Sequence, residues 1–328
     1  MAPALIDSFG RKIEYLRVSV TDRCDLRCQY CIPEAFTDFS EPNHWLTFEE
    51  ITRVIRLFAQ LGTRRIRITG GEPLVRKNLP TLIQALGKIP GVDDLSLSTN
   101  AVRLKPYAKR LHEAGISRLN VSLDTLDAAK FKRITKGLLH KVTTSLETAK
   151  AVGFSPIKIN MVLLADTNLD DILDMVSYCA ERDFTLRMIE TMPLGSSGQN
   201  AYLKSSLSVS DIKQKLAEQY TLLPSTMPGG GPARYFKIAG SETKIGFITP
   251  ITQHFCATCN RVRLSVDGTI YTCLGQENNL PLRPLLRSGA SDAAIIGAIE
   301  TVIQEKPERH EFTEKPLKLT RIMSATGG

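Results

Sequence analysis

No stretch of this chain approaches the ~18 consecutive apolar residues of a membrane span, and Met1 to Lys12 lacks the apolar core of a secretory signal. Neither a membrane location nor export is therefore expected. Aromatic residues are also scarce, at 6% with a single tryptophan, and the Lys and Arg behind the net charge of +8 are scattered along the chain. Nucleic acid is not the expected partner, because its binding surfaces combine clustered cations with stacking rings. A small polyanion such as a nucleoside triphosphate accounts for the excess charge equally well. Only seven cysteines are present. Six form two tight triplets and Cys179 stands alone in a helical pattern. That distribution excludes a disulfide framework and suggests metal ligands in a reducing compartment, so a cytoplasmic protein is expected.

The 328 residues allow about two domains. Six short strand patterns alternate with helical ones: strands at Tyr15 to Thr21, Arg65 to Thr69, Asp94 to Thr99, Arg118 to Asp124, Ile157 to Leu164 and Thr185 to Glu190. Repeated βα units with right-handed crossovers give a parallel sheet, and six of them fall short of the eight that close a TIM barrel. The fold expected is α/β: a partial (β/α)6 TIM-type barrel over residues 1–204. A smaller α+β domain, residues 205–328, is expected to cover its open side. A helix from Thr47 to about Leu61 has Thr47 as N-cap and Glu50 three residues on. Another is expected from Leu104 to Ala114. Pro193 to Gly198 and Pro224 to Pro232 punctuate the second half, and Asp267-Gly268 marks a hairpin.

The first triplet, Cys24, Cys28 and Cys31, is spaced C-x3-C-x2-C in a loop after the first strand. Three thiolates can hold three irons of a cubane and leave the fourth open for chemistry. A zinc knuckle is the plain alternative. Gly70-Gly71-Glu72-Pro73 follows the second strand, where paired glycines let the backbone approach a ligand closely. The second triplet, Cys256, Cys259 and Cys273, would suit a zinc ribbon with His254 as fourth ligand as readily as a second cluster. Arg17, Arg67 and Lys158 each sit on a barrel strand, and Arg261 and Arg263 share one face of another by period-two geometry. Inward cations need an anionic partner, either a barrel carboxylate or a bound polyanion. His112 and His140 have no ligand spacing. Trp45 and Cys179 are expected to pack.

The cysteine loop, with Tyr30 before its last Cys, and Thr69-Gly-Gly-Glu-Pro73 resemble the radical S-adenosylmethionine (SAM) superfamily. Phe255 to Leu274 resembles the C-terminal signature of the GTP 3′,8-cyclases, the molybdenum cofactor biosynthesis A proteins. The likeness runs from Arg17 to the C-terminus, with one departure: Thr326 replaces a bulkier aliphatic residue before Gly327 and Gly328. It implies two 4Fe-4S clusters, at Cys24, Cys28 and Cys31 and at Cys256, Cys259 and Cys273. It also implies SAM contacts at Tyr30, Gly71, Ser122 and Met192, and GTP contacts at Arg17, Arg67, Thr99, Lys158, Arg261, Val262 and Arg263. Arg17 is further implicated in catalysis, and Gly327-Gly328 would reach the active site. The implied reaction turns GTP into (8S)-3′,8-cyclo-7,8-dihydroguanosine 5′-triphosphate, the first step of molybdopterin synthesis. A homodimer is expected, with cyclic pyranopterin monophosphate synthase taking the product and an electron donor that the sequence does not identify. The competing readings are a radical SAM peptide maturase with an auxiliary cluster and a zinc-stabilised nucleic-acid-binding protein.

Overall fold

The computed structural model describes residues 4–204 and 209–327. The expected domain boundary at 204/205 and the terminal Gly328 therefore fall at or outside the edge of the described residues. The barrel half runs β1 (Tyr15–Ser19), α1 (Phe48–Gln60), β2 (Arg65–Thr69), α2 (Leu79–Leu86), β3 (Asp94–Thr99), α3 (Ala108–Glu113) and β4 (Arg118–Ser122). It continues with α4 (Ala128–Thr135), α5 (Leu139–Val152), β5 (Ile157–Val162), α6 (Ile172–Arg182) and β6 (Thr185–Ile189). These strands pair in sequence order, all parallel. The capping box at Thr47 forms: Glu50 N donates to Thr47 Oγ1 at 3.2 Å, and Thr47 N donates to Glu50 Oε2 at 2.7 Å. The expected helix from Leu104 is realised only from Ala108, residues 102–107 forming turns closed by bonds such as Tyr107 N to Leu104 O.

After α7 (Gly195–Lys204) and α8 (Val209–Ala217) come β7 (Leu222–Ser225), β8 (Arg234–Ile238) and β9 (Lys244–Ile248). Then follow β10 (Arg261–Leu264), β11 (Thr269–Tyr271), β12 (Asn279–Pro281), α9 (Arg283–Arg287), α10 (Asp292–Gln304) and α11 (Met323–Thr326). The strands after residue 205 extend the barrel sheet at both edges. β9 pairs parallel to β6 and carries β8 and β7 beyond it; β10 pairs parallel to β1 and carries β11 and β12. The single sheet, β12-β11-β10-β1-β2-β3-β4-β5-β6-β9-β8-β7, is not closed. This arrangement satisfies the backbone groups that β1 and β6 would otherwise expose as edges.

Strand alternation separates the two faces. Leu16, Val18, Ile66, Ile68, Leu97, Leu119, Val121, Ile159, Leu186, Met188, Val262 and Leu264 belong to one continuous buried core on the helix side. The intervening Arg17, Arg67, Ser96, Asn120, Lys158, Arg187 and Arg263 face the concave side. Cys179 packs in the core, and Trp45 lies against the guanidinium groups of Arg23 and Arg76.

Candidate functional site

The concave side holds a cavity lined by Tyr15, Arg17, Arg67, Asn160, Arg187 and Met192 from the barrel strands and the loop after β6. Cys256, Cys259, Arg261, Val262, Arg263, Cys273 and Lys306 line it from the β10 side. Strand register sets three arginines abreast: Arg263 lies opposite Arg17, and Arg17 opposite Arg67. Adjacent strands are about 4.8 Å apart, so like charges there repel. Burial, then Arg263 and Arg67, hold Arg17 well below the usual arginine range. Burial and Arg261 lower Arg263 to about 9. Lys158, across the barrel, is brought to about 7 by burial together with Arg187, Arg118 and Arg67. The barrel carboxylate Asp94 is engaged by Arg118 and only partly opposes the lowering of Lys158. Among the described residues, no carboxylate pairs with Arg67, Lys158, Arg187, Arg261 or Arg263. For these five, the barrel-carboxylate partner that an inward cation could have is absent among the described residues.

Arg187 was not singled out in the sequence, although its parity on β6 could have found it. It is buried, donates to Asn120 Oδ1, and lines the cavity beside Asn160. The Gly229 to Pro232 run, read from the sequence as punctuation, crosses the N-terminal strand ends. A side chain at Gly230 would meet Arg65, Asn260 and Tyr15 within 3.5 Å, and Gly231 and Pro232 line the cavity.

The cysteine loop is held by backbone. Gly71 N donates to Thr21 O at 2.7 Å and Glu72 N to Arg23 O at 2.8 Å. A Cβ on Gly71 would stand 2.4 Å from Arg23 O, and one on Gly70 2.5 Å from Thr21 O. The close approach seen at the paired glycines is thus to the cysteine loop itself, where the sequence suggested a ligand. The end of α4 adds carbonyls, Thr135 O accepting from Arg27 N and Ile134 O from Gln29 N, both at 2.9 Å. Tyr30 donates to Asp124 Oδ2 at 2.8 Å, while Val162 N donates to Asp124 Oδ1. Burial raises Asp124 to about 6 and Glu72 to about 7. Burial, with Glu72 next, pushes the Cys24 thiol up to about 12; burial, with Asp124 adding, does the same to Cys31.

Of the remaining expected contacts, Ser122 is exposed at the C-terminal end of β4 and Met192 lines the cavity. Thr99 is not brought to the cavity. It lies on the opposite strand parity, its hydroxyl donating to Glu72 Oε1 at 2.7 Å. Val262 borders the cavity, but its side chain belongs to the core. The C-terminal tail, whose sequence lacks periodicity, is docked. Ser324, Thr326 and Gly327 are buried, and Arg263 donates to the Gly327 carbonyl.

Both triplets are free thiols with the composition a cubane requires. Within each, the three sulfurs lie close enough to act on one another electrostatically. His254 packs edge-on against His310, 5.9 Å between ring centroids. Among the described residues, no three His, Cys, Asp or Glu side chains are grouped as a single metal ion needs. A cubane takes one thiolate per iron, so its ligands need not converge on one point.

Residues 18–179 match the radical SAM superfamily, and residues 184–312 match the family described as Molybdenum Cofactor Synthesis C. A GTP 3′,8-cyclase of Paracoccus denitrificans is 44% identical over 331 residues, covering 99% of this chain and 96% of its own. GTP 3′,8-cyclase 1 of Pseudomonas aeruginosa is 44% identical over 327 residues, covering 98% and 99%. Among solved structures, Streptococcus suis SuiB bound to S-adenosylmethionine superposes with a TM-score of 0.63. It covers 96% of this chain and 78% of its own at 14% identity, a likeness of fold alone. Near-complete coverage by such relatives accounts for both triplets in one chain, and the chain belongs to the GTP 3′,8-cyclase family of the radical SAM superfamily.

Proposed function

We propose that this protein is a GTP 3′,8-cyclase, converting GTP to (8S)-3′,8-cyclo-7,8-dihydroguanosine 5′-triphosphate at the start of molybdenum cofactor synthesis. The observation that carries the reading is the row Arg263, Arg17 and Arg67, set abreast by strand register in a cavity that a cysteine triplet also lines. A triphosphate brings about four negative charges, and guanidinium forks suit its oxygens.

Cys24, Cys28 and Cys31 would hold one 4Fe-4S cluster, and Cys256, Cys259 and Cys273 the other. When bound, the first supplies reductive cleavage of SAM to a 5′-deoxyadenosyl radical. The chain's own residues do the positioning. Gly70 and Gly71 seat the cysteine loop, and Tyr30 is fixed by Asp124. Ser122 and Met192, at the upper ends of the strands, would border SAM. Arg17, Arg67, Lys158, Arg187, Arg261 and Arg263 would hold the nucleotide, and the docked tail would exclude water above Ser19 and Thr69. A free-standing homodimer and hand-over of product to cyclic pyranopterin monophosphate synthase belong to the same reading. No helix of the described residues is long and apolar enough to cross a membrane.

The test is anaerobic incubation of iron-reconstituted protein with GTP, SAM and dithionite. The cyclised nucleotide and 5′-deoxyadenosine should appear together; 5′-deoxyadenosine with no GTP-derived product would sink the cyclase reading.

A further inference from the structure

The second triplet is ringed by cations that donate to carbonyls beside its ligands. Arg11 donates to Cys256 O at 2.9 Å, and Arg321 to Leu274 O at 2.6 Å. Lys306, just after α10, donates to Arg261 O at 3.1 Å and to Thr272 O. Those two carbonyls sit two residues after Cys259 and one before Cys273, so a single ammonium joins the start of β10 to the residue between β11 and Cys273.

Lys306 differs from the other two in charge balance. Arg11 is paired with Asp7 and Arg321 with Glu277, whereas among the described residues no carboxylate pairs with Lys306. Only 2% of it is exposed, and it lines the cavity with all three cysteines. A buried cation without a counter-charge is costly, and the carbonyls offer only dipoles. Three thiolates would balance it. The first triplet has one such cation, the half-buried Arg27 donating to Cys24 O at 2.8 Å, and it also has the buried carboxyls of Glu72 and Asp124 acting on its thiols.

We propose that Lys306 is a positioning residue of the second triplet. Its ammonium ties the start of β10 to Thr272, next to Cys273, and raises the reduction potential of the iron-sulfur group held there above that of the group at Cys24, Cys28 and Cys31. The inference rests on the cluster assignment made above. An added electron increases negative charge, so a fixed cation nearby favours the reduced form and fixed carboxylates oppose it.

The measurement is anaerobic redox potentiometry followed by electron paramagnetic resonance, in full-length protein carrying Cys24→Ser, Cys28→Ser and Cys31→Ser so that only the second cluster signals. Lys306, Lys306→Met and Lys306→Arg are compared. With Met, the ratio of reduced to oxidised cluster at the parent's midpoint should fall about tenfold, about 59 mV for one electron. With Arg it should stay within about twofold of the parent. Comparison with the Cys256→Ser, Cys259→Ser and Cys273→Ser protein should place the first cluster at the lower potential. An unchanged midpoint in the Met variant, or equal displacement by Met and Arg, overturns the proposal. Should Met prevent iron binding while Arg permits it, the charge is needed even for assembly; loss of iron in both would assign a structural clamp and overturn the electrostatic role. Zinc in place of iron with Lys306 intact would instead defeat the cluster assignment, before any substitution at Lys306 is read.

Discussion

Arg263 donates from its guanidinium to the carbonyl of Gly327, joining strand β10 to the C-terminal tail above the ends of β1 and β2. Gly327 has φ +80°, and a Cβ there would stand 2.5 Å from Thr69 Cγ2. Gly327→Ala should therefore undock the tail, an unfavourable backbone state of this kind costing about 1–3 kcal/mol. The short tail can leave without unfolding the barrel. The expected result is sharply lower cyclisation, faster trimming by carboxypeptidase, and unchanged iron content and melting temperature. Full activity in the Ala variant would remove the tail from the active site.

Gly71→Ala places a methyl group against the backbone of Arg23 and Asp22. Neither neighbour is a flexible side-chain end, so the cysteine loop itself must shift. Iron content should fall by about half, from about eight to about four per chain, because only the first triplet is disturbed. Iron analysis after reconstitution checks this. A full complement of iron would show that the loop tolerates the displacement.

The barrel was legible because its strands alternate strictly. Arg65–Thr69 and Asp94–Thr99 are found as expected, and β1, β4, β5 and β6 start as expected and end one or two residues early. The same parity put Arg17, Arg67, Arg261 and Arg263 on the concave face. Thr99 shows the limit of motif matching: its position beside Asn100 is right for the strand end, yet its parity sends the hydroxyl to Glu72. What the sequence concealed was long-range pairing. Nothing local in Lys244–Ile248 or Arg261–Leu264 says that these strands flank β6 and β1, from opposite edges of one sheet. Helix α7 starts at Gly195, inside a stretch resembling a break, because small residues let it approach the Met192 backbone; a Cβ on Gly198 would lie 2.6 Å from Met192 O. The tail's order is likewise tertiary, since Arg263, Ser19 and Thr69 supply the contacts that its own sequence lacks.

Lys158 should make nucleotide binding depend on pH. Burial and the charges of Arg187, Arg118 and Arg67 lower it to about 7, only partly opposed by Asp94. A bound triphosphate favours the charged form, so above pH 7 binding takes up a proton and affinity falls as pH rises. The limit is about tenfold per pH unit. The slope should appear between about pH 7.5 and 9, where the triphosphate is fully ionised, and vanish in Lys158→Met. Calorimetric titrations in buffers of different ionisation enthalpy would report the proton directly. Without nucleotide the linkage acts on folding: above about pH 7 the unfolded chain binds the proton more readily than the fold, so stability should rise from there toward the ordinary lysine range. Binding without proton uptake would mean that Lys158 stays neutral beside the ligand.

Arg187 offers the sharpest test of the cationic cavity, because it has two roles that can be separated. Its guanidinium supports Asn120 from below, and it also lies beside Asn160 on the cavity wall. A purely supporting residue would matter only through Asn120. Asn120→Ser replaces that amide oxygen with a shorter-reaching hydroxyl and should leave GTP affinity within about threefold of the parent. Arg187→Met keeps the side chain's apolar length but removes the charge. Losing one charge-assisted contact to a buried anion costs about 1.5–3 kcal/mol, or roughly ten- to hundredfold in affinity. Arg187→Lys should fall between, since an ammonium keeps the charge but not the fork. Binding measured with iron content held equal decides the matter. If Asn120→Ser weakens GTP as much as Arg187→Met does, the arginine acts through Asn120, and the anion is held by the row of Arg263, Arg17 and Arg67 alone.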